Sequence, residues 1–165
     1  MARKVFFSFH FANDYWRTQQ VRNMNSLEGN PICTANAWEE VKKKGDEAIE
    51  AWITKEMAGR SCVIVLVGSQ TAERKWVRRE IQKAWTDNRG VLGIRINGLL
   101  DSSGSTSTAG ENPFDRFTIG DKKMSAFAPL KTPTGADSKA KYANIAANME
   151  NWIEEAIKAR ADAAK

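Results

Sequence analysis

The chain has 165 residues, 42% hydrophobic and 27% charged, with 11 Gly and 4 Pro. That is globular composition on the scale of one domain of about 100–200 residues, long enough to bury roughly 70% of its unfolded surface without staples. No apolar run approaches the roughly 18–20 residues of a membrane span; the longest, Cys62 to Val67, is strand-length. Met1-Ala2-Arg3-Lys4 leads into Val5-Phe6-Phe7-Ser8-Phe9 without a long apolar stretch or a small-residue cleavage site, so a secretory leader is not expected and a cytoplasmic location is.

Cys33 and Cys62 fit a reducing compartment, and no Cys-x-x-Cys occurs. With His10 as the single histidine, no metal site is expected, because structural zinc usually needs four Cys or His ligands. The same scarcity weakens a Cys–His nucleophile, and Cys62, opening an apolar run, reads as a small buried residue. Lys and Arg number 25 against 20 Asp and Glu, a net charge of +5. Such a surplus favours an anionic partner. Basic residues scattered over solvated helix faces are the plainer explanation and the preferred one.

Alternating strand and helix patterns predict an α/β fold. The first strand is Lys4 to Phe9, followed by a helix to about Met24 that Asp14 can cap. Ile32 to Ala35 is a short strand candidate. Asp46 can cap the next helix, in which Ile49, Trp52, Ile53 and Met57 recur at helical spacing until Gly59. Ser61 to Ser69 holds the continuous run Val63-Ile64-Val65-Leu66-Val67, the pattern of a central strand covered on both faces. A helix from Glu73 to Asn88 carries Val77, Ile81, Ala84 and Trp85 on one stripe. Val91 to Ile96 reads as a strand, the Ser/Thr/Gly-rich stretch 101–112 as a mobile loop, and Ala126 to Leu130 as a short last strand. The final helix, 138–161, places Tyr142, Ile145, Met149, Trp152, Ile153, Ala156 and Ile157 on one face.

Five strands with helices between them predict a flavodoxin-like, doubly wound, mainly parallel sheet with order 2-1-3-4-5 and helices on both faces, one domain over residues 1–165. Ligands of such sheets sit outside the carboxyl ends of the strands, near the switch point between strands one and three. The turns after strands one, three and four are therefore where chemistry is expected. Neither Gly-x-Gly-x-x-Gly nor Gly-x-x-x-x-Gly-Lys-Ser/Thr occurs, and there is no Gly-x-Ser-x-Gly. Adjacent carboxylates that could hold magnesium are also missing at the strand ends.

The segment Gly68 to Ile81 remains. Trp76 and Glu80 stand four apart and share a helix face, with Glu80 at the edge of the buried stripe. Lys75, Arg78, Arg79 and Lys83 surround Glu80 in sequence, and nearby cations favour an ionised carboxylate. On spacing alone, the plainer reading leads: Glu80 as a surface carboxylate pairing with Lys83 or Lys75, and Trp76 as a core-edge aromatic.

That segment resembles the region of TIR domains that carries their catalytic glutamate, where a Trp precedes the Glu by four residues. More closely, the chain resembles the TIR-like proteins of the bacterial Thoeris antiphage system. The resemblance lies in Val5-Phe6-Phe7-Ser8-Phe9-His10, Val21-Arg22-Asn23, Trp38-Glu39, Gly68-Ser69-Gln70-Thr71, Trp76-Val77-Arg78, Glu80-Ile81 and Asn112-Pro113-Phe114. It spans roughly residues 3–118 and is most specific over the first strand and the helix holding Glu80.

The resemblance implies cleavage of NAD, as substrate rather than cofactor, at the nicotinamide–ribose bond. ADP-ribose or a cyclised isomer would be released, a messenger for a separate effector. Nicotinamide leaves neutral, so no general acid is needed, and one carboxylate can stabilise the oxocarbenium-like transition state; O-glycoside hydrolysis normally uses two. Glu80 takes that role by resemblance. Ser8, Phe9 and His10 stand where strand one meets the crevice, and Trp38, Asp46, Trp76 and Asn112 are further substrate-binding candidates. Each has a plainer reading: core packing for Phe9, a polar loop residue for His10, a core or interface aromatic for Trp38, a helix cap for Asp46, and turn-forming for Asn112 and for Asn97. A homo-oligomer and a phage-derived trigger are implied in the same way. A non-catalytic TIR-like adaptor is the alternative. A nucleic-acid binder ranks last, because no basic run interleaves with aromatics, and no membrane partner is expected.

Overall fold

A computed structural model describes residues 4–22, 24, 28–29 and 40–163. Three full-length strands, β1 (Lys4–Phe9), β3 (Cys62–Val67) and β4 (Gly90–Arg95), form its centre. Two-residue strands β2 (Glu28–Gly29) and β7 (Leu130–Lys131) flank them, giving the order β2-β1-β3-β4-β7 with every pair parallel. The helices with both ends among the described residues are α1 (Phe11–Arg22), α2 (Asp46–Met57), α3 (Lys75–Thr86) and α4 (Ser138–Ala163).

The two-residue period of a strand sorts these side chains into two cores. Val5 and Phe7 of β1 join Ile64, Leu66, Leu92 and Ile94 on one face, under Val21 of α1 and Ile145, Met149, Ile153 and Ala156 of α4. Phe6 points the other way, with Val63, Val65, Val67 and Val91, beneath Ile49, Ile53 and Met57 of α2 and Val77, Ile81 and Ala84 of α3. The same alternation turns Ser8 toward α3 and leaves Phe9 packed, half-buried, on the α4 side. All six residues of β3 are buried, as its continuous apolar run predicts. Cys62 is a free, buried thiol. The apolar face predicted for the last helix is the face that packs.

Element ends depart from the sequence reading where tertiary contacts set them. Asp14 is not the cap of α1: its backbone N–H already donates to the His10 carbonyl at 2.8 Å, so the helix begins earlier and the carboxylate turns inward. Gly45, at φ 95°, holds the capping position predicted for Asp46, a conformation that favours glycine. Helix α3 starts later than Glu73, because Thr71–Glu73 forms a 3₁₀ turn in which Thr71 Oγ1 accepts from the Gly68 N–H at 2.7 Å. Asn88, at φ 63°, lies beyond its end at Thr86. The last strand is Leu130–Lys131, since Met124–Ala126 within the predicted neighbourhood is another 3₁₀ turn. A small antiparallel pair, β5 (Thr118–Ile119) and β6 (Lys122–Lys123), turns through Gly120 at φ 64° and was not anticipated. The strand candidate Ile32–Ala35, with Cys33, lies outside the described residues. No helix among the described residues is long and apolar enough to cross a membrane.

Candidate active site

Ser8 comes to the end of β1 on the α3 face, and Glu80 sits one turn into α3 beside the buried Val77 and Ile81. The two meet: Ser8 Oγ donates to Glu80 Oε1 at 2.7 Å. Ser8 is 1% exposed and Glu80 8%, so the pair is withdrawn from water. Burial pushes the Glu80 carboxyl from 4.5 up to about 8, against the smaller opposing effect of the Ser8 hydrogen bond.

The expectation that neighbouring cations hold Glu80 ionised is overturned. Lys75 pairs with Asp46 at 2.9 Å, Arg79 with Glu50 at 2.6 Å and Lys83 with Asp87 at 2.9 Å. Each has a carboxylate of its own, on α2 for Lys75 and Arg79 and four residues further on for Lys83, so adjacency to Glu80 in sequence does not make a partner of it. A desolvated carboxyl with a hydroxyl partner in place of a counter-ion is poised to favour a cation brought close to it, where low dielectric magnifies the attraction.

His10 follows at the strand's end and is 6% exposed, with its Nδ1 lacking a hydrogen-bond partner. It is not a solvated loop residue. Burial, and then the charge of Arg74, lower its pKa from the ordinary histidine value.

Next to this turn lies a second buried carboxylate, Asp14, which sequence reasoning treated as a cap. Arg17 Nη1 donates to Asp14 Oδ1 at 2.9 Å, and Arg17 also donates to the carbonyls of Leu99 at 2.8 Å and Ser105 at 3.0 Å. The stretch predicted to be a mobile loop is thus tied to α1. Arg95 Nη1 donates to the Gly110 carbonyl at 2.7 Å, and the Ser107 N–H to the Asn97 carbonyl at 2.9 Å. Gly68 faces the Asp14 carboxylate so closely that a methyl group there would collide with it, and Gly110 stands equally close to the Gly68 carbonyl. The turns after β1, β3 and β4 therefore converge at the carboxyl end of the sheet, as the topology rule expects.

The remaining candidates scatter. Asn112 accepts from the Phe114 N–H at 2.9 Å and caps the 3₁₀ turn Pro113–Arg116, the turn-forming alternative. Asp46 and Trp76 instead line a cavity of about 360 Å³ with Glu50, Lys75, Arg78, Arg79, Gln82, Arg116 and Phe117, from which Glu80 is absent. Trp38 lies outside the described residues. No group of three or more His, Cys, Asp or Glu among the described residues could hold a metal ion. Sequence reasoning missed Arg17, whose only signal was its position three residues after Asp14 on a helix.

Residues 6–101 match the family described as Thoeris protein ThsB, TIR-like domain. The chain is 38% identical over 120 residues to the Bacillus cereus (strain MSX-D12) protein named "Putative cyclic ADP-D-ribose synthase ThsB1". The alignment covers 70% of this chain and 62% of that protein, so the chain spans less than two thirds of the relative's length.

Proposed function

The chain belongs to the TIR-like family of Thoeris ThsB proteins, and from that membership we propose that it is an NAD-cleaving enzyme of antiphage defence, with Glu80 as its catalytic carboxylate. The bond between nicotinamide nitrogen and ribose C1′ breaks, its electron pair leaves with neutral nicotinamide, and C1′ becomes oxocarbenium-like. Water captures that centre to give ADP-ribose, or a nucleophilic atom of the same ADP-ribose captures it to give a cyclised isomer. The cyclised, cyclic ADP-ribose-type product is the reading favoured by the name of the Bacillus cereus relative. It would act as a signal on a separate effector.

One observation carries this assignment to Glu80. It is a buried carboxyl at the carboxyl end of the parallel sheet, held by the Ser8 hydroxyl at 2.7 Å while Lys75, Arg79 and Lys83 pair elsewhere. Its raised pKa is consistent with a group that ionises as the cationic nicotinamide ribose arrives. Ser8 orients the carboxyl, and His10, with its unpartnered buried Nδ1, offers a hydrogen bond to substrate. We read the fold as a flavodoxin-like, doubly wound wrap forming a single TIR-like domain, with homo-oligomers and a phage-derived trigger as further elements.

The test is mass spectrometry of small molecules after incubation with NAD, wild type beside Glu80→Gln, repeated in lysate from phage-infected cells. An ADP-ribose-type product that vanishes in the variant is the expected result. Intact NAD with both proteins, infected lysate included, would replace the enzyme by a TIR-like adaptor.

A further inference from the structure

The segment 99–110 crosses the carboxyl end of the sheet, yet no residue between Leu99 and Pro113 is buried. Apolar packing therefore does not fix it; polar anchors do. Arg17 donates to the carbonyls of Leu99 and Ser105 at 2.8 and 3.0 Å, and the Ser107 N–H donates to the Asn97 carbonyl at 2.9 Å. Asp101 closes the turn near the start, accepting from the N–H groups of Ser103 and Ser105 at 2.9 and 3.0 Å. The far end rests on two residues. Arg95 Nη1 donates to the Gly110 carbonyl at 2.7 Å. Gly110 itself lies so close on the Gly68 and Ser69 carbonyls that a methyl group would collide with both, and backbone on that side cannot step aside as a side chain would.

The strand register places that end. Ser8 pairs with Val65 and Arg95 with Val67, two residues further along β3. At about 3.3 Å of rise per residue, Arg95 stands roughly 7 Å beyond the level of Ser8, on the side where ligands of parallel sheets sit. The strap's far end is thus on the ligand side of the Ser8–Glu80 pair. The Gly68–Ser69 turn beneath it is also pressed from α1, by the Asp14 carboxylate, and leads through Thr71–Glu73 into α3.

Capture of C1′ is a competition between water and a nucleophilic atom of the same ADP-ribose, so exclusion of water favours the cyclised product. We propose that Arg95 and Gly110 are positioning residues that seat the strap on the Gly68–Ser69 turn, keep water from C1′ and so select cyclisation over hydrolysis. The inference rests on the NAD-cleaving reading and adds the part of the fold that chooses between its two products. Neither residue touches the reacting atoms, and both products follow the same bond cleavage at Glu80. Their ratio therefore reads the strap alone: a smaller folded fraction lowers both together and leaves the ratio unchanged.

The experiment measures that ratio by mass spectrometry after incubation with NAD, purified or in infected lysate, with and without dilute methanol. Hydrogen exchange is followed on the same proteins: wild type, Arg95→Gln, Gly110→Ala, and Thr108→Ala at an exposed position of the strap. Wild type and Thr108→Ala should give mainly cyclised product. Arg95→Gln and Gly110→Ala should lower the cyclised-to-linear ratio by about tenfold, within the roughly hundredfold that a misplacement of about 1 Å costs. Total NAD consumption should change little. Methanol, whose oxygen bonds C1′ while its proton passes to water, should be captured more by these two variants, and their amides over 99–110 should exchange faster. An unchanged ratio in a variant whose strap exchanges faster would overturn the proposal. So would exchange untouched by either substitution, a ratio that falls without added methanol capture, or a wild type releasing mainly linear ADP-ribose. NAD left intact by the wild type, infected lysate included, would instead defeat the NAD-cleaving reading on which the inference stands.

Discussion

Asp14 and Glu80 are the two buried carboxylates among the described residues, 1% and 8% exposed, and they are held in opposite ways. Asp14 meets Arg17 at 2.9 Å, and Arg17 in turn binds the carbonyls of Leu99 and Ser105. Burial raises the Asp14 pKa while the guanidinium's hydrogen bond and charge pull it down. At Glu80 a hydroxyl stands where the guanidinium would be, and desolvation dominates. The difference teaches that burial of a carboxylate says little about its role until its partner is known. Asp14–Arg17 is a brace that ties the segment after β4 to α1. Glu80 has no cation of its own and is left responsive to one that arrives.

The contrast can be broken from either end. Removing the brace's cation by Arg17→Leu should have the largest effect on stability, about 3–5 kcal/mol in urea unfolding, because it strands a buried charge. A loss no greater than that of a surface substitution would show that Asp14 is held by something else. Glu80→Gln should lower NAD cleavage by about 100-fold or more, the usual scale for removing electrostatic stabilisation of a transition state. Its melting temperature at neutral pH should not fall.

Ser8→Ala should reduce kcat/KM at neutral pH by about tenfold, the scale of a hydrogen bond to a charged group. The hydroxyl lowers the Glu80 pKa, so its loss should move the acid limb of the pH profile toward alkaline values. In the wild type that limb should fall near pH 8 for kcat/KM, which reports the free enzyme.

The pH dependence of folding reads the same group independently of catalysis. Glu80 is protonated in the fold up to about pH 8, whereas the unfolded chain releases its proton near 4.5. The folded state therefore binds more protons in that window, and the stabilisation present below pH 4.5 is lost as pH rises through about 8. Glu80→Gln should flatten this slope in melting curves taken across the range.

Much of the architecture was legible in the residues. The apolar run of β3 and the helical stripes of α2, α3 and α4 predicted the elements that form the two cores, because periodic burial is written locally. Helix starts were misread at Asp14 and Asp46, since both are good capping residues whose backbone positions are set by neighbouring elements: the His10 carbonyl and Gly45 at φ 95°. The bounds of the short last strand, expected at Ala126 to Leu130, were misplaced for a related reason. Two-residue pairings such as Leu130–Lys131 with Gly93 and Ile94 carry no periodicity of their own.

The sequence alone determined that Ser8 and Phe6 share a face of β1 and that Glu80 borders the buried stripe of α3, because strand and helix periods fix side-chain direction. It also carried the family resemblance that singled out Glu80. Only the tertiary structure decided that Ser8 and Glu80, 72 positions apart, share a hydrogen bond, and that Lys75, Arg79 and Lys83 pair elsewhere. Partnership depends on what the other elements bring to the same place, and desolvation depends on how much of them covers it. Neither quantity is encoded in the spacing of a single segment.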